Sequence, residues 1–268
     1  MEYEKYKTDS KSKKTMRYLE KIFACPRCKT SLKPNGSRGK CPKCKFEFKK
    51  KEGIWHFLYI PQKQSKVSSN IYEKMHKDYF GGPTDGSYDI LASFARGNKT
   101  VDIACGEGLI EKLAPETVGV EFSLNALKKA KKNGAKHLVL ADAHALPFVD
   151  NAFDIAISAG NLEHFANPQI AINEMARISK IQILTVHRKL PILSSIYRIA
   201  ALFGVKHQPI EKPIAENELE KMLKTAGAHI VFKGLWNLPV NYGRPIRWLP
   251  EFSRVASCWF VISIKKNL

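Results

Sequence analysis

A glycine-containing turn between a short apolar strand and the start of a helix is the feature that most constrains the fold of this chain. The strand is predicted over 99–101, the turn is Asp102–Gly108, and a helix start follows over 109–114. Glycine at such a turn lets a ligand approach backbone N–H groups at the start of a helix. The next strand ends in Glu121, 19 residues after Asp102, where a carboxylate can hydrogen-bond ribose hydroxyls. The pattern predicts a site for a nucleoside-containing cofactor.

The residues of the turn distinguish between classes of such cofactors. The dinucleotide fingerprint G-x-G-x-x-G is incomplete, because Ala104 stands in place of the first glycine and the third is also absent. Asp102 and Glu107 flank the turn, and their charges repel a pyrophosphate while favouring a sulfonium and an ammonium group. A Rossmann-like domain with some other ligand, or with none, is the alternative.

Four segments, in order along the chain, resemble the motifs of class I S-adenosylmethionine-dependent methyltransferases of the type-11-like group. Asp102–Gly108 is similar to their first motif, D/E-x-G-x-G-x-G, with Ala104 in place of one glycine. The segments 118–123, 141–148 and 150–164 are similar to the second motif, the third motif, and the fourth strand with its loop. The resemblance covers residues 99–190 and implies an α/β fold: a Rossmann-like, seven-stranded, mostly parallel sheet with helices on both faces.

The same resemblance implies roles for individual residues. Glu121 would hold the ribose, the carboxylate of Asp142 would take the adenine amino group, and the N–H of Ala143 would take a ring nitrogen. The cofactor-binding residues predicted in this way are Asp102, Ala104, Gly106, Gly108, Glu121, Phe122, Asp142, Ala143 and Asn161. No catalytic residue is assigned. His164 can accept a proton, but Leu-Glu-His recurs here in methyltransferases with unlike substrates, so a structural role is favoured.

Four of the six cysteines form two Cys-x2-Cys pairs, which predict a structural zinc site. Cys25 and Cys28 make the first pair, and Cys41 and Cys44 follow after a 12-residue spacer. Four thiolates complete the tetrahedral coordination of Zn²⁺. Disulfides are one alternative, which the lack of a recognisable secretion signal disfavours. A redox-active Cys-x-x-Cys is the other, and it is disfavoured because no thioredoxin-like unit surrounds the motif. A zinc ribbon ahead of the fold resembles the layout of bacterial rRNA guanine-N1 methyltransferases, whose last ligand is usually histidine.

The net charge of +19 is concentrated near the N-terminus. Residues 1–66 carry 19 Lys and Arg against 6 Asp and Glu. Such a region suits a phosphate backbone, and aromatic residues nearby are candidates for stacking on bases. These aromatic residues are Tyr3, Tyr6, Tyr18, Phe46 and Phe48. RNA is therefore the predicted acceptor, through a ring nitrogen or a ribose oxygen; a solvated lysine-rich surface is the alternative.

The chain divides into four predicted regions. These are a basic tail (1–20), the zinc ribbon (21–60), a linker (61–70) and the methyltransferase domain (71–268), with a variable insertion at 188–214. Within the insertion, the apolar stretch 190–204 is either a cap on the substrate pocket or an interfacial helix that touches lipid. No apolar run reaches the roughly 18 residues of a membrane-spanning helix, and no signal peptide is recognisable. A cytoplasmic protein is expected, with no indication of its oligomeric state.

Three functions stay open on the sequence. Methyl transfer to RNA, with the ribbon docking the substrate, is favoured. Methyl transfer to a small or lipid-like molecule, with the ribbon as a structural cap, is the second, and the apolar insertion favours it. A non-catalytic RNA-binding protein that retains the cofactor fold is the third, and the intact acids at Asp102, Glu121 and Asp142 argue against it.

Overall fold

The computed structural model describes residues 18–63, 73, 86–188, 212–236 and 258–266. Most of the predicted basic tail, linker residues 64–70 and the apolar stretch 190–204 lie outside the described residues. The strands are β1 (Arg38–Lys40), β2 (Glu47–Lys51), β3 (Ile54–His56), β4 (Thr100–Ile103), β5 (Val118–Glu121), β6 (His137–Leu140), β7 (Phe153–Ala159), β8 (Ser179–His187), β9 (Ala228–Trp236) and β10 (Cys258–Lys265). The helices are α1 (Ser87–Ala95), α2 (Leu109–Leu113), α3 (Leu124–Lys132), α4 (Pro168–Ile178) and α5 (Glu216–Thr225), with a 3₁₀ turn at Leu162–His164.

The described strands form one mixed sheet in the order β1-β2-β3-β6-β5-β4-β7-β8-β10-β9. Strands β6, β5, β4, β7 and β8 are parallel, and β10 runs antiparallel between β8 and β9. The order reverses at β4, the strand that leads into the glycine turn. In open α/β sheets a ligand binds beyond the carboxyl ends of the strands at such a reversal.

Helices cover both faces of the sheet, as predicted. Alternate side chains of a strand point to opposite faces, so Ile155 and Ile157 of β7 pack with α1 and α2, whereas Ala156 packs with α4 and α5. The helix starts follow from local sequence, because Ser123 and Asn167 each accept a backbone N–H at an N-terminus.

Over the described residues the sheet has ten strands, which corrects the predicted seven. Strands β1, β2 and β3 come from the cysteine-rich region, and β3 pairs in parallel with β6 through the registers Ile54 with Leu138 and His56 with Leu140. Exposed sheet edges carry unpaired backbone N–H and C=O groups, and β3 satisfies those of β6. The ribbon therefore extends the sheet edge.

Further contacts fix the ribbon to the chain between β6 and β7. The Phe57 N–H donates to the Leu140 carbonyl at 2.9 Å, the Ala24 N–H to Pro147 at 2.9 Å, and the Val149 N–H to Ile22 at 2.8 Å. The interface is filled by mutually packed and buried aromatic side chains, namely Phe23, Phe48, Trp55, Phe57 and Phe148. Aromatic side chains bury large apolar areas, so this interface contributes substantially to the core.

Candidate functional site

The turn after β4 has the left-handed backbone that glycine favours. Its φ angles are +61° at Ala104, +55° at Gly106 and +74° at Gly108. Ala104 occupies the left-handed region despite its Cβ, at a cost of about 1–2 kcal/mol. The Asn161 side-chain amide donates to the Ala104 carbonyl at 3.2 Å, which ties the turn to the loop after β7. The predicted residues Gly106, Gly108 and Asn161 thus shape the turn.

Glu121 is held in place by backbone donors. One carboxylate oxygen accepts the N–H groups of Phe122 at 2.7 Å and Ser123 at 2.9 Å, and the other accepts the Gly106 N–H at 3.2 Å. The carboxylate lies at the carboxyl end of β5 and lines a cavity that opens to solvent. This position and fixed orientation suit hydrogen bonding to a pair of hydroxyl groups.

Asp142 has one occupied and one unpartnered oxygen. Its Oδ1 accepts the His144 N–H at 2.9 Å and lies 2.5 Å from His144 Nδ1. The Asn167 N–H donates to Nε2 of the same imidazole at 3.0 Å, so Nδ1 carries the proton that points to Asp142. Oδ2 of Asp142 is buried and has no hydrogen-bond partner among the described residues. A buried acceptor in that state fits a ligand that brings a donor.

Three buried carboxyl groups surround the base of the turn. Burial raises the pKa of Asp102 well above its usual range, and the neighbouring carboxylates of Glu111 and Glu121 raise it further. Burial also raises the pKa of Glu111, to about 8. A cationic ligand stabilises the ionised forms of these carboxyl groups, whereas a phosphate-bearing ligand opposes their ionisation.

The cavity brings together part of the predicted set. Its wall includes the predicted residues Ala104, Glu121, Phe122, Asp142 and Ala143, together with Val120, Ala141, His144, His164, Phe165 and Ala166. Asp102, Gly106, Gly108 and Asn161 do not line it and act through the turn. Of the additional lining residues, His164 alone was considered from the sequence. His144 could have been found, because it lies two residues beyond Asp142, within reach of an Asx-type contact.

Glu163 and His187 form a second polar cluster that the sequence analysis misses. Glu163 is fully buried, and its Oε1 contacts Nδ1 of His187 at the end of β8. Nε2 of His164 lies 3.7 Å from the same oxygen. The two histidines are 23 residues apart in sequence and meet only because β7 and β8 are parallel neighbours.

The four predicted cysteine ligands converge at the tip of the ribbon. The Sγ atoms of Cys25 and Cys44 are 3.4 Å apart, those of Cys28 and Cys41 are 3.5 Å apart, and all four lie within 4.8 Å of one another. Tetrahedral zinc with Zn–S bonds of about 2.3 Å separates its sulfur ligands by about 3.8 Å, so the cluster fits this ion. None of the six cysteines forms a disulfide in this structure.

The two cysteine pairs have the same local structure. The N–H of Lys29 donates to the Cys25 carbonyl, and that of Lys45 donates to the Cys41 carbonyl. Both lysines have left-handed φ angles, +59° and +62°. The repeated Cys-Pro-x-Cys-Lys sequence therefore folds into two equivalent knuckles, which present paired sulfur atoms to a common centre.

Part of the chain is similar to known proteins in sequence and in fold. Residues 101–182, from β4 into β8, match the family model described as a methyltransferase domain. This segment is similar to a methyltransferase domain. Magnesium protoporphyrin IX methyltransferase from Synechocystis PCC 6803, solved with bound SAH, shares the fold of this domain with a TM-score of 0.54 and 15% identity. That similarity covers 75% of this chain and 97% of the solved chain.

Two relatives match part of the chain in sequence. An uncharacterized protein of Methanocaldococcus jannaschii is 32% identical over 109 residues, which cover 41% of this chain and 43% of that protein. Demethylmenaquinone methyltransferase of Corynebacterium kroppenstedtii is 36% identical over 88 residues, covering 31% and 38% respectively. The chain thus spans less than half the length of either relative. The resemblance in layout to rRNA guanine-N1 methyltransferases stays a prediction.

None of the helices in the described part of the chain has the length and apolar character that crossing a bilayer requires.

Proposed function

We propose that the chain transfers a methyl group from S-adenosylmethionine to an acceptor molecule. The observation that carries the proposal is the buried Oδ2 of Asp142, which has no partner among the described residues. Burying a carboxylate oxygen without a donor is costly, and the adenine amino group is a donor that relieves this cost. When bound, the cofactor supplies a methyl group on a positively charged sulfur atom.

The charge around the turn supports the same cofactor. Asp102, Glu111 and Glu121 are buried together, and the raised pKa of Asp102 reflects their mutual repulsion as well as burial. A ligand with an ammonium and a sulfonium group lowers this repulsion, whereas a nucleotide phosphate increases it. Gly106 leaves space on its Cα, since a Cβ built there meets no atom within 4 Å.

For the acceptor, we propose a small or lipid-like molecule. The aromatic residues that made the ribbon a candidate RNA platform are used for packing wherever they are described. Phe48 is buried, Phe46 packs edge-on against Tyr59, and the Tyr18 hydroxyl donates to the Ala152 carbonyl. The ribbon then serves as a structural cap on the sheet edge. One relative of the domain is named for demethylmenaquinone, and its name supports this class of acceptor.

RNA is the second candidate acceptor, and one observation favours it. The ribbon surface carries basic side chains that are exposed to solvent: Lys33, Arg38, Lys40, Lys43, Lys45, Lys49 and Lys51. Such a surface binds phosphate backbones without regard to sequence. It also keeps a protein soluble, so charge alone does not identify a partner.

For the four cysteines we propose a structural Zn²⁺ ion. Cys25, Cys28, Cys41 and Cys44 supply a complete tetrahedral set, which leaves no coordination position for a substrate. A cytoplasmic location, as expected from the sequence, stays a prediction.

A labelling experiment tests the enzyme and its acceptor together. The purified full chain is incubated with methyl-labelled S-adenosylmethionine and a lysate of the source cells, and the lysate is separated into RNA, protein and lipid fractions. We expect label in a nuclease-resistant, organic-soluble fraction. Label that nuclease removes would establish RNA instead. Absence of label in every fraction, together with no binding of S-adenosylhomocysteine, would overturn the proposed activity. The Asp142→Asn variant is assayed in the same way. Asp89→Asn, changed at an exposed position of α1, is its matched control.

A further inference from the structure

Three side chains of a type that binds metal ions meet beside the cavity, away from the cysteine cluster. Glu163, His164 and His187 each offer one ligand atom, and these atoms lie within 4.8 Å of one another. Glu163 and His164 stand on the 3₁₀ turn after β7, and His187 ends β8. The carboxyl ends of two neighbouring parallel strands therefore bring the three side chains to the ligand-binding edge of the sheet.

The central carboxylate is only partly satisfied by its surroundings. Glu163 is fully buried, and its Oε1 is shared between the imidazoles of His187 and His164. Oε2 of Glu163 is buried without a hydrogen-bond partner among the described residues. A buried carboxylate is costly unless it is paired with a charge or coordinates a metal ion. This unpartnered oxygen gives the cluster the capacity to bind a cation.

We propose that Glu163, His164 and His187 bind a divalent transition-metal ion of the Zn²⁺ type. Two imidazole nitrogens and one carboxylate oxygen are a donor set that holds such ions with open coordination positions. The four cysteines, by contrast, form a closed set. Mg²⁺ and Ca²⁺ favour oxygen ligands throughout, so they are not the expected occupants.

The position of the cluster indicates what the ion does. His164 also lines the cavity that receives the cofactor under the proposed function. An ion with open positions here binds an oxygen atom of the acceptor next to the methyl donor. This role rests on the proposed function and narrows its acceptor to a molecule with a hydroxyl or another oxygen ligand. Metal binding itself does not depend on that function.

Metal content of the full chain tests the site without any assay of activity. The protein is loaded with Zn²⁺, dialysed against metal-free buffer and analysed for bound metal. We expect about two ions per chain in the unaltered protein and about one in Glu163→Ala and His187→Ala, because loss of an outer partner alone weakens metal binding about 10–100-fold. His229→Ala, which removes an exposed histidine of β9, is the matched control and keeps both ions.

Substitution with Co²⁺ distinguishes the two sites. Cobalt bound by histidine and carboxylate absorbs in the visible range without the thiolate charge-transfer bands that the cysteine cluster gives. One zinc ion per unaltered chain overturns the metal site even if the variants do not fold. So does a metal content that His187→Ala leaves unchanged in a folded protein. Two ions without any methyl transfer would overturn the proposed function alone.

Discussion

At the scale of single residues, the two glycines in the turn after β4 have different roles. Both Gly106 and Gly108 have left-handed φ angles, but only Gly108 is tightly surrounded. A Cβ on Gly108 would lie 2.8 Å from the Cβ of Ala130, on α3, whereas a Cβ on Gly106 meets nothing within 4 Å. Gly108 therefore allows α3 to pack closely against the turn, whereas Gly106 leaves space for a ligand.

The two glycines are expected to differ in the stability lost on substitution. Gly106→Ala should lower the free energy of unfolding by about 1–2 kcal/mol, the cost of a Cβ in the left-handed region. Gly108→Ala should lose about 1–3 kcal/mol more, because the clash with Ala130 forces α3 to move. Chemical denaturation of both variants in the absence of ligand measures the difference. Equal losses would contradict the assigned packing role of Gly108.

Asp142 is the residue on which cofactor recognition most depends. Asp142→Asn retains an acceptor for His144 but places an NH₂ group where the buried Oδ2 faces a ligand donor. The new NH₂ group would face the adenine amino group, and this contact between two donors costs about 1–3 kcal/mol of binding free energy. The affinity for S-adenosylhomocysteine should therefore fall about 10-fold to 100-fold. Calorimetric titration measures it. The exposed Asp89→Asn change should leave the affinity unaltered, and similar affinities for all three proteins would remove Asp142 from the site.

Glu111 should make the stability of the ligand-free protein depend on pH. Its pKa of about 8 in the folded chain lies above the ordinary value of 4.5. Between these pH values the unfolded chain has released the proton and the folded chain keeps it, so the free energy of unfolding decreases as the pH rises. The slope for one proton is at most about 1.4 kcal/mol per pH unit. The stabilising contribution is complete below pH 4.5 and is lost by about pH 8.

The Glu111→Gln variant isolates this effect, because it cannot ionise. Its unfolding free energy should decrease less between pH 5 and pH 8 than that of the unaltered chain. Glu47→Gln, at an exposed position of β2, is the control and should retain the original slope. Denaturant titrations at several pH values provide the comparison. Parallel profiles for Glu111→Gln and the unaltered chain would show that Glu111 is ionised in the fold.

At the scale of secondary structure elements, local signals predicted helix starts in the α/β domain and the cysteine pairs of the ribbon, but not the pairing of the ribbon with the sheet. The helix starts at Ser123 and Asn167 are set by adjacent residues, so the sequence alone indicates them. The pairing of β3 with β6 joins residues more than 80 positions apart, and no local pattern specifies it. The cluster of Glu163 with His187 was missed for the same reason, since only the parallel register of β7 and β8 brings the two side chains together.

The ribbon holds the segment that carries Asp142. Residues 138–149 are bound by β3 and by backbone hydrogen bonds from Ala24 and Phe57, and the Lys29 ammonium lies 2.5 Å from Glu174 and 3.3 Å from the Leu146 carbonyl. Metal binding and folding are coupled in small cysteine-rich modules. Loss of the metal should therefore loosen one wall of the cofactor cavity.

Hydrogen exchange can measure this coupling. Cys41→Ser, which removes a ligand of the ribbon metal alone, should speed amide exchange across 138–149 and lower the affinity for S-adenosylhomocysteine about 10-fold. Exchange in β8 over 181–186, on the other side of the sheet, should stay slow and serves as the internal control. Exchange that increases equally in both segments would indicate general unfolding. Exchange that does not change in either would show that the ribbon and the cavity are independent.

At the scale of the whole molecule, the excess positive charge and the arrangement of the ribbon favour different acceptors. Most aromatic side chains of the ribbon are buried, namely Phe23, Phe48, Trp55 and Phe57, while most of its lysines are exposed to solvent. An RNA-docking surface needs both the charge and a means of fixing bases or backbone, whereas a soluble structural cap needs the charge alone. The charge is thus expected to be dispensable for methyl transfer.

Neutralising that charge tests which arrangement applies. In a Lys43→Gln, Lys49→Gln and Lys51→Gln triple variant, methyl transfer to the labelled lysate fraction should stay within about twofold of the unaltered chain at both low and high salt, because a small acceptor binds without counterion release. Lys221→Gln with Lys224→Gln, at exposed positions of α5, is the control for altered charge in general. Loss of transfer in the triple variant alone, steeper as salt increases, would mean that the ribbon docks a polyanion. In that case its pairing with β6 fixes a binding surface beside the cavity, and the acceptor reaches the methyl donor from the ribbon side.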